Sequence, residues 1–207
     1  YSHIEEHIRI LERSARGKKW VTSLYKNVFT RQKSETFSLS AQILFDRLLK
    51  LLSESENTFE VYYGLAKGFL EFYNGYVAHV WDLDVDKNIL RTKRIWYLPE
   101  ESEQTEAFVR ATEALTFQPG SGMPGRCLES KEPQWHEDFS ALDVKKFPRA
   151  QLAVAAGVKA ALAIPIMSED KVIAVIEIFS KKPKAPSEED LAFMRLVTDY
   201  VSMQFNL

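Results

Sequence analysis

The chain has 207 residues, 45% hydrophobic and 12% aromatic, with a formal net charge of −2, so it can bury a real core and gives no electrostatic reason to expect nucleic acid or an anionic membrane as a partner. One cysteine, Cys127, excludes an intramolecular disulfide and any cysteine-cluster metal site, and suits a reducing cytoplasm. No apolar run approaches the roughly 20 residues of a membrane span and no signal peptide is visible, while a first residue of Tyr rather than Met is what an excised piece of a longer protein shows.

Ile4, Ile8, Leu11 and Ala15 recur at helical spacing opposite Glu5, Glu6, Arg9, Glu12 and Arg13, which predicts an amphipathic helix. A second apolar group, Trp20 to Phe29, continues it or begins another helix before a polar run from Arg31 to Ser40. Residues 1–39 therefore read as a helical appendage and 40–207 as the main domain. There, Ala41, Leu44, Phe45, Leu48, Leu51 and Leu52 make a wide stripe on one helix. Asn57 and Glu60 form a capping-box pattern for the next, whose buried face carries Tyr62, Leu65, Ala66, Phe69 and Tyr73 and which Asn74-Gly75 stops. Tyr76 to Leu83 and Ile89 to Trp96 predict two hairpin strands, and Glu103 to Leu115 a helix.

Three glycines and two prolines then fall within Pro119 to Gly125, a segment that must turn tightly and enter a helix near Pro124. A short helix near Cys127, a strand around Pro133 to His136, and a helix across Ala150 to Ala156 ended by Gly157 follow. Ala160 to Met167 and Val172 to Ser180 read as two strands joined by Ser168-Glu169-Asp170-Lys171. In the first, Leu162, Ile164 and Ile166 share one face, while the small side chains of Ala161, Ala163 and Pro165 leave room on the other for a close-packed helix or a ligand. Ser187 and Asp190 cap a last helix with two apolar stripes, Leu191, Met194, Val201, Phe205 and Phe193, Leu196, Tyr200, Met203. Two stripes need two partners: the sheet, and either the N-terminal helix or a second subunit.

Taken together, Phe117-x-Pro-Gly-x-Gly-x-Pro-Gly-Arg126, Ser130-x-x-Pro133-x-Trp135-x-x-Asp138, Phe147-Pro-Arg-Ala150, Ala156-Gly157 and Ala161-Leu-Ala-Ile-Pro165 resemble the GAF domains of bacterial sensor kinases and related regulators, over roughly Ala41 to Leu207. The resemblance implies an α+β fold. A central antiparallel sheet would carry helices on one face and, on the other, a pocket roofed by the segments between its second and fourth strands, expected to take a small, mainly apolar or mildly anionic molecule beneath the Gly/Pro segment. It also implies no catalysis, a homodimer built through terminal helices, and output to an effector domain of the parent protein. The Asn-Lys, Phe and Asp-Glu set of cyclic-nucleotide members is missing. Cys127 is followed by Leu128 rather than the His common beside bilin-attaching cysteines, and a lone thiol cannot form the disulfide through which the GAF-like methionine sulfoxide reductases work. No cofactor is named by the pattern.

The candidate ligand-binding residues are Met123, Arg126, Cys127, Trp135, His136, Asp138, Ala161 and Ala163. Arg126, just after Pro124-Gly125, can help hold an anion at a helix start or pair with Glu129 or Asp138. Cys127 is either a sensor thiol activated by Arg126 and the helix start or a small buried hydrophobe. Trp135, with Trp81 and Trp96, lines an aromatic pocket or packs the core. His136 and His79 lie on strands, without the neighbouring ligands a metal needs.

Overall fold

The computed structural model describes Ala41, Ile43, Leu44, Arg47, Leu48, Lys50, Leu51, Ser55 and residues 57–99, 101–139, 149–168 and 170–205. The expectations for the appendage 1–39, for Phe45, Leu52, Phe147, Pro148 and Glu169, and for the side chains of Met203 and Phe205 lie outside them.

The elements are α1 (Thr58–Tyr73), β1 (Val77–Asp84), β2 (Ile89–Tyr97), α2 (Glu103–Glu113), β3 (Thr116–Phe117), α3 (Gly122–Ser130), β4 (Gln134–His136), α4 (Ala150–Ala155), β5 (Ala160–Ser168), β6 (Lys171–Ser180) and α5 (Glu188–Phe205). The described residues between Ala41 and Leu51 are also helical. Local chemistry sets the boundaries. Asn57 accepts from the Glu60 backbone N–H at 3.1 Å to start α1, and Asn74, in the left-handed region at φ 52°, ends it. Ser102 does the same for α2, accepting from Thr105 N–H. Ser187 and Asp190 exchange side-chain-to-backbone hydrogen bonds at the start of α5.

The strands form one sheet in the order β3-β2-β1-β6-β5-β4, and all five neighbouring pairs are antiparallel. The outer strands are short: two residues in β3, three in β4. Period-2 alternation splits the sheet into two cores. On one face Ala78, Val80, Leu162, Ile164, Ile166, Ile176 and Ile178 meet Leu65, Phe69 and Tyr73 of α1 and Met194, Val197 and Val201 of α5. On the other, Val77, Trp81, Ala161, Ala163, Val175 and Phe179 meet Phe108 of α2, Met123 and Cys127 of α3, and Ala153 of α4. The split of β5 into a Leu/Ile face and an alanine face is the one its sequence alternation predicts.

The two stripes of α5 find one partner that the sequence reading did not name. Phe193 is buried against Phe72 of α1, ring centroids 4.7 Å apart, and Tyr200 is buried as well, so part of the second stripe is satisfied by α1. Among the described residues, no helix is long and apolar enough to cross a membrane.

Candidate functional site

At the centre of the sheet, β6 places one charged residue within an otherwise apolar run, Val172 to Phe179. Glu177 shares a face with Val175 and Phe179 and stands between His79 of β1 and Ala163 of β5 in the strand register. It is 0% exposed. Arg149, the residue that opens α4, is 1% exposed, and its Nη2 lies 2.8 Å from both Glu177 carboxylate oxygens. Trp81 Nε1–H donates to Glu177 Oε2 at 2.7 Å. Thr112 of α2 gives its hydroxyl proton to the Phe108 carbonyl at 2.8 Å, which leaves its oxygen to accept from Arg149 Nη1 at 3.1 Å.

Among the described residues, four aromatic rings close around the guanidinium. Its central carbon sits 5.6 Å from the Trp81 ring centroid, 5.6 Å from Phe108, 5.7 Å from Phe117 and 5.5 Å from Phe179. Those distances lie within the reach of cation–π attraction, which strengthens when water is excluded. The rings also brace one another edge to face, Trp81 against Phe117 and Phe108 against Phe179. The cage thus draws on β1, α2, β3 and β6, while its occupant comes from α4.

His79 extends the cluster. A bulge in the β1–β2 pairing lets Arg94 adopt φ 56° and give its backbone N–H to Thr92 Oγ1, which stands 2.9 Å from His79 Nε2. The imidazole packs on Trp81 and Trp96 with centroids 4.6 and 4.0 Å away, and its Nδ1 has no hydrogen-bond partner. Burial, helped by the Arg149 charge, holds its pKa well below the ordinary histidine value. The ring is therefore neutral. A proton on Nε2, donated to Thr92, leaves only a lone pair at the buried Nδ1, the cheaper group to leave unmet.

Of the residues singled out by sequence, Met123, Cys127, Ala161 and Ala163 join the buried cluster that holds the cage rings. Arg126 pairs with His136 rather than with Glu129 or Asp138: its Nη2 is 3.1 Å from His136 Nε2, because β4 turns His136 toward the α3 face opposite Ala161. Burial and the Arg126 charge lower the His136 pKa, and Glu177 opposes them. Cys127 lies inside α3, and burial, with the Glu177 charge behind it, pushes its thiol pKa up rather than down. This overturns the activated-thiol option. Trp135 faces the other way, opposite Leu162 on the α1/α5 side of the sheet and 45% exposed, so it does not line the cage. Asp138 is half-buried just beyond β4. No cluster of three or more His, Cys, Asp or Glu side chains among the described residues could hold a metal ion.

Arg149, Glu177 and Thr112 carry the site and were not selected from the sequence. Two signals were present: Arg149 belongs to the Phe147-Pro-Arg-Ala150 motif, and Glu177 interrupts a strand that is otherwise apolar.

The GAF domain family model matches residues 40–204. The chain belongs to the GAF domain family. Its fold is similar to that of the nlh2 GAF domain from A. aeolicus in an inactive state (TM-score 0.59, 16% identity, 82% of this chain and 98% of that one). It is also similar to the free methionine-R-sulfoxide reductase of Neisseria meningitidis in complex with its substrate (TM-score 0.62, 12% identity, 84% and 93%). Among curated proteins, Transcription factor TT8 of Arabidopsis thaliana is 29% identical over 102 residues, 49% of this chain but 18% of that protein. GAF domains are known small-molecule-binding sensory and regulatory modules.

Proposed function

We propose that this GAF domain is a regulatory module of a larger protein that responds to a small molecule by exchanging it for Arg149 in the buried cage. The change would pass to an effector domain through the terminal helices. The observation that carries the reading is the Arg149–Glu177 pair at the centre of the sheet. A buried ion pair contributes little stability compared with apolar residues of similar volume, so packing alone does not account for placing one here. Arg149 opens α4, which packs against α2 through the same region that Thr112 anchors. Withdrawing the guanidinium would loosen α4 from α2 and shift β6, whose neighbour β5 carries α5 on its far face.

Such a module changes state only as far as its ligand prefers the exchanged form, by a few kcal/mol for a useful switch. Native mass spectrometry of the purified chain, followed by hydrogen exchange with any retained molecule, tests it. The expected outcome is altered protection in both α4 and α5; binding that leaves α5 unchanged would end the transmission part. The reading is non-catalytic. The one cysteine is buried and has no second thiol to pair with, which does not suit the disulfide chemistry expected of GAF-like methionine sulfoxide reductases. A cytoplasmic setting fits that free thiol.

A second reading keeps Arg149 in place permanently and makes the domain a dimerisation and transmission unit. The cage is already filled by the chain's own Arg149, and Phe59 and Tyr63 of α1 stand exposed and stacked, with Tyr97 edge-on to Tyr63 at 6.0 Å. The likeness to part of TT8 suits a regulatory unit inside a transcription factor as well as one inside a kinase. With residues 1–39 as a helical appendage, truncating 1–31 should then leave a monomer in sedimentation. A truncated chain that stays dimeric would move the interface elsewhere.

A further inference from the structure

Building on the small-molecule reading of this site, we infer that the Trp81, Phe108, Phe117 and Phe179 cage with its Glu177 floor is a guanidinium-binding site, that Arg149 is its built-in ligand, and that the molecule exchanged for it is an organic cation of the same class. The lining selects by charge and by hydrogen-bond polarity. Glu177 offers two acceptor oxygens, and Thr112, whose own proton is committed to the Phe108 carbonyl, offers only an acceptor. Trp81 Nε1–H, the donor nearest the floor, is spent on Glu177 itself. Among the described residues, what remains for an occupant is acceptors and ring faces. An anion would meet a carboxylate and electron-rich rings, and a neutral apolar molecule would leave Glu177 charged and unpaired. A flat cation with several N–H donors satisfies every surface at once.

The occupant also arrives on its own element. The rings, Thr112 and Glu177 are contributed by β1, α2, β3 and β6, and the guanidinium by the residue that immediately precedes the six-residue α4. Removing that one side chain subtracts the occupant without deleting any residue of the lining, which makes the site testable by supplying the missing group in solution.

The experiment is thermal unfolding of Arg149→Ala across a millimolar series of methylguanidinium chloride, with sodium chloride at matched ionic strength. The expected result is a saturable rise in melting temperature of about 3–6 °C at ten times the dissociation constant. Wild type, whose cage is filled by a tethered guanidinium, should show no such rise. Arg149→Ala/Glu177→Gln should lose it, since the carboxylate floor is gone. If Arg149→Ala does not fold by itself, refolding that succeeds only with methylguanidinium present supports the assignment. No saturable rise or recovery, or an equal effect in the double variant, overturns it. Native mass spectra of wild type retaining an anionic or neutral molecule would also overturn the cation assignment, while leaving the small-molecule reading intact.

Discussion

Truncating Arg149 to alanine removes the guanidinium but leaves the Glu177 carboxylate where water does not reach it. Such a change costs about 3–5 kcal/mol, because the remaining charge is uncompensated. Urea denaturation should show that loss for Arg149→Ala and a smaller one for Arg149→Met/Glu177→Gln, which removes both charges yet keeps an acceptor for Trp81 Nε1–H. Losses in Arg149→Met and Glu177→Gln that add up to the loss in the double would show that the ions are not coupled. His79 sets a pH dependence at the same scale. Its folded pKa lies below the ordinary value of about 6.5, so the unfolded chain binds the proton more readily. The contribution of neutral His79 to stability is thus complete above about pH 6.5 and is lost as pH falls below it. Arg149 faces the ring as a second discouragement to charging, and Glu177 lies across from it in the strand register. His136 is shifted in the same direction, so urea midpoints of His79→Gln/His136→Gln should change less between about pH 7 and 5 than those of wild type. An identical slope in the two proteins would assign the acid sensitivity to other groups.

At the scale of elements, two glycines with different duties give a paired prediction. Gly125 is in α3, and a Cβ there would stand 2.2 Å from the Gln118 carbonyl oxygen, a backbone atom that cannot swing aside. Gly125→Ala should therefore cost about 1–3 kcal/mol by displacing α3 from the turn before it. Gly157 meets open space but holds φ 80°, so Gly157→Ala should cost about 1–2 kcal/mol through backbone conformation alone, and Gly157→Asn less. Chemical denaturation separates the two: a rescue by Asn at 157 and none by small polar residues at 125. Much of this layer was legible from the chain. The Asn57 and Ser187 caps, the Asn74 stop, the hairpins and the alanine face of β5 follow from local rules that the surroundings did not override. Trp135 was not legible, because a three-residue edge strand carries too little alternation to announce which side its middle residue takes. Arg149 and Glu177 escaped for a related reason: their sequence separation hides a contact that only the closing of α4 over β6 creates.

For the whole molecule, the antiparallel sheet between two helical layers explains why one face can be devoted to the chain's own packing while the other holds a polar centre. The face under α1 and α5 is built from aliphatic side chains; the face under α2, α3 and α4 is rich in aromatics and contains the Arg149–Glu177 pair. Because β5 and β6 contribute alternate residues to both layers, any tilt of β6 at Glu177 is felt at Ile176 and Ile178 against the opposite helices. Outer strands of two and three residues have a further consequence. Beyond those few residues the uncovered lengths of β2 and β5 are interrupted by the bulge at Arg94 and by Pro165, which has no N–H to give, so a long ladder with a neighbouring chain is discouraged at both borders.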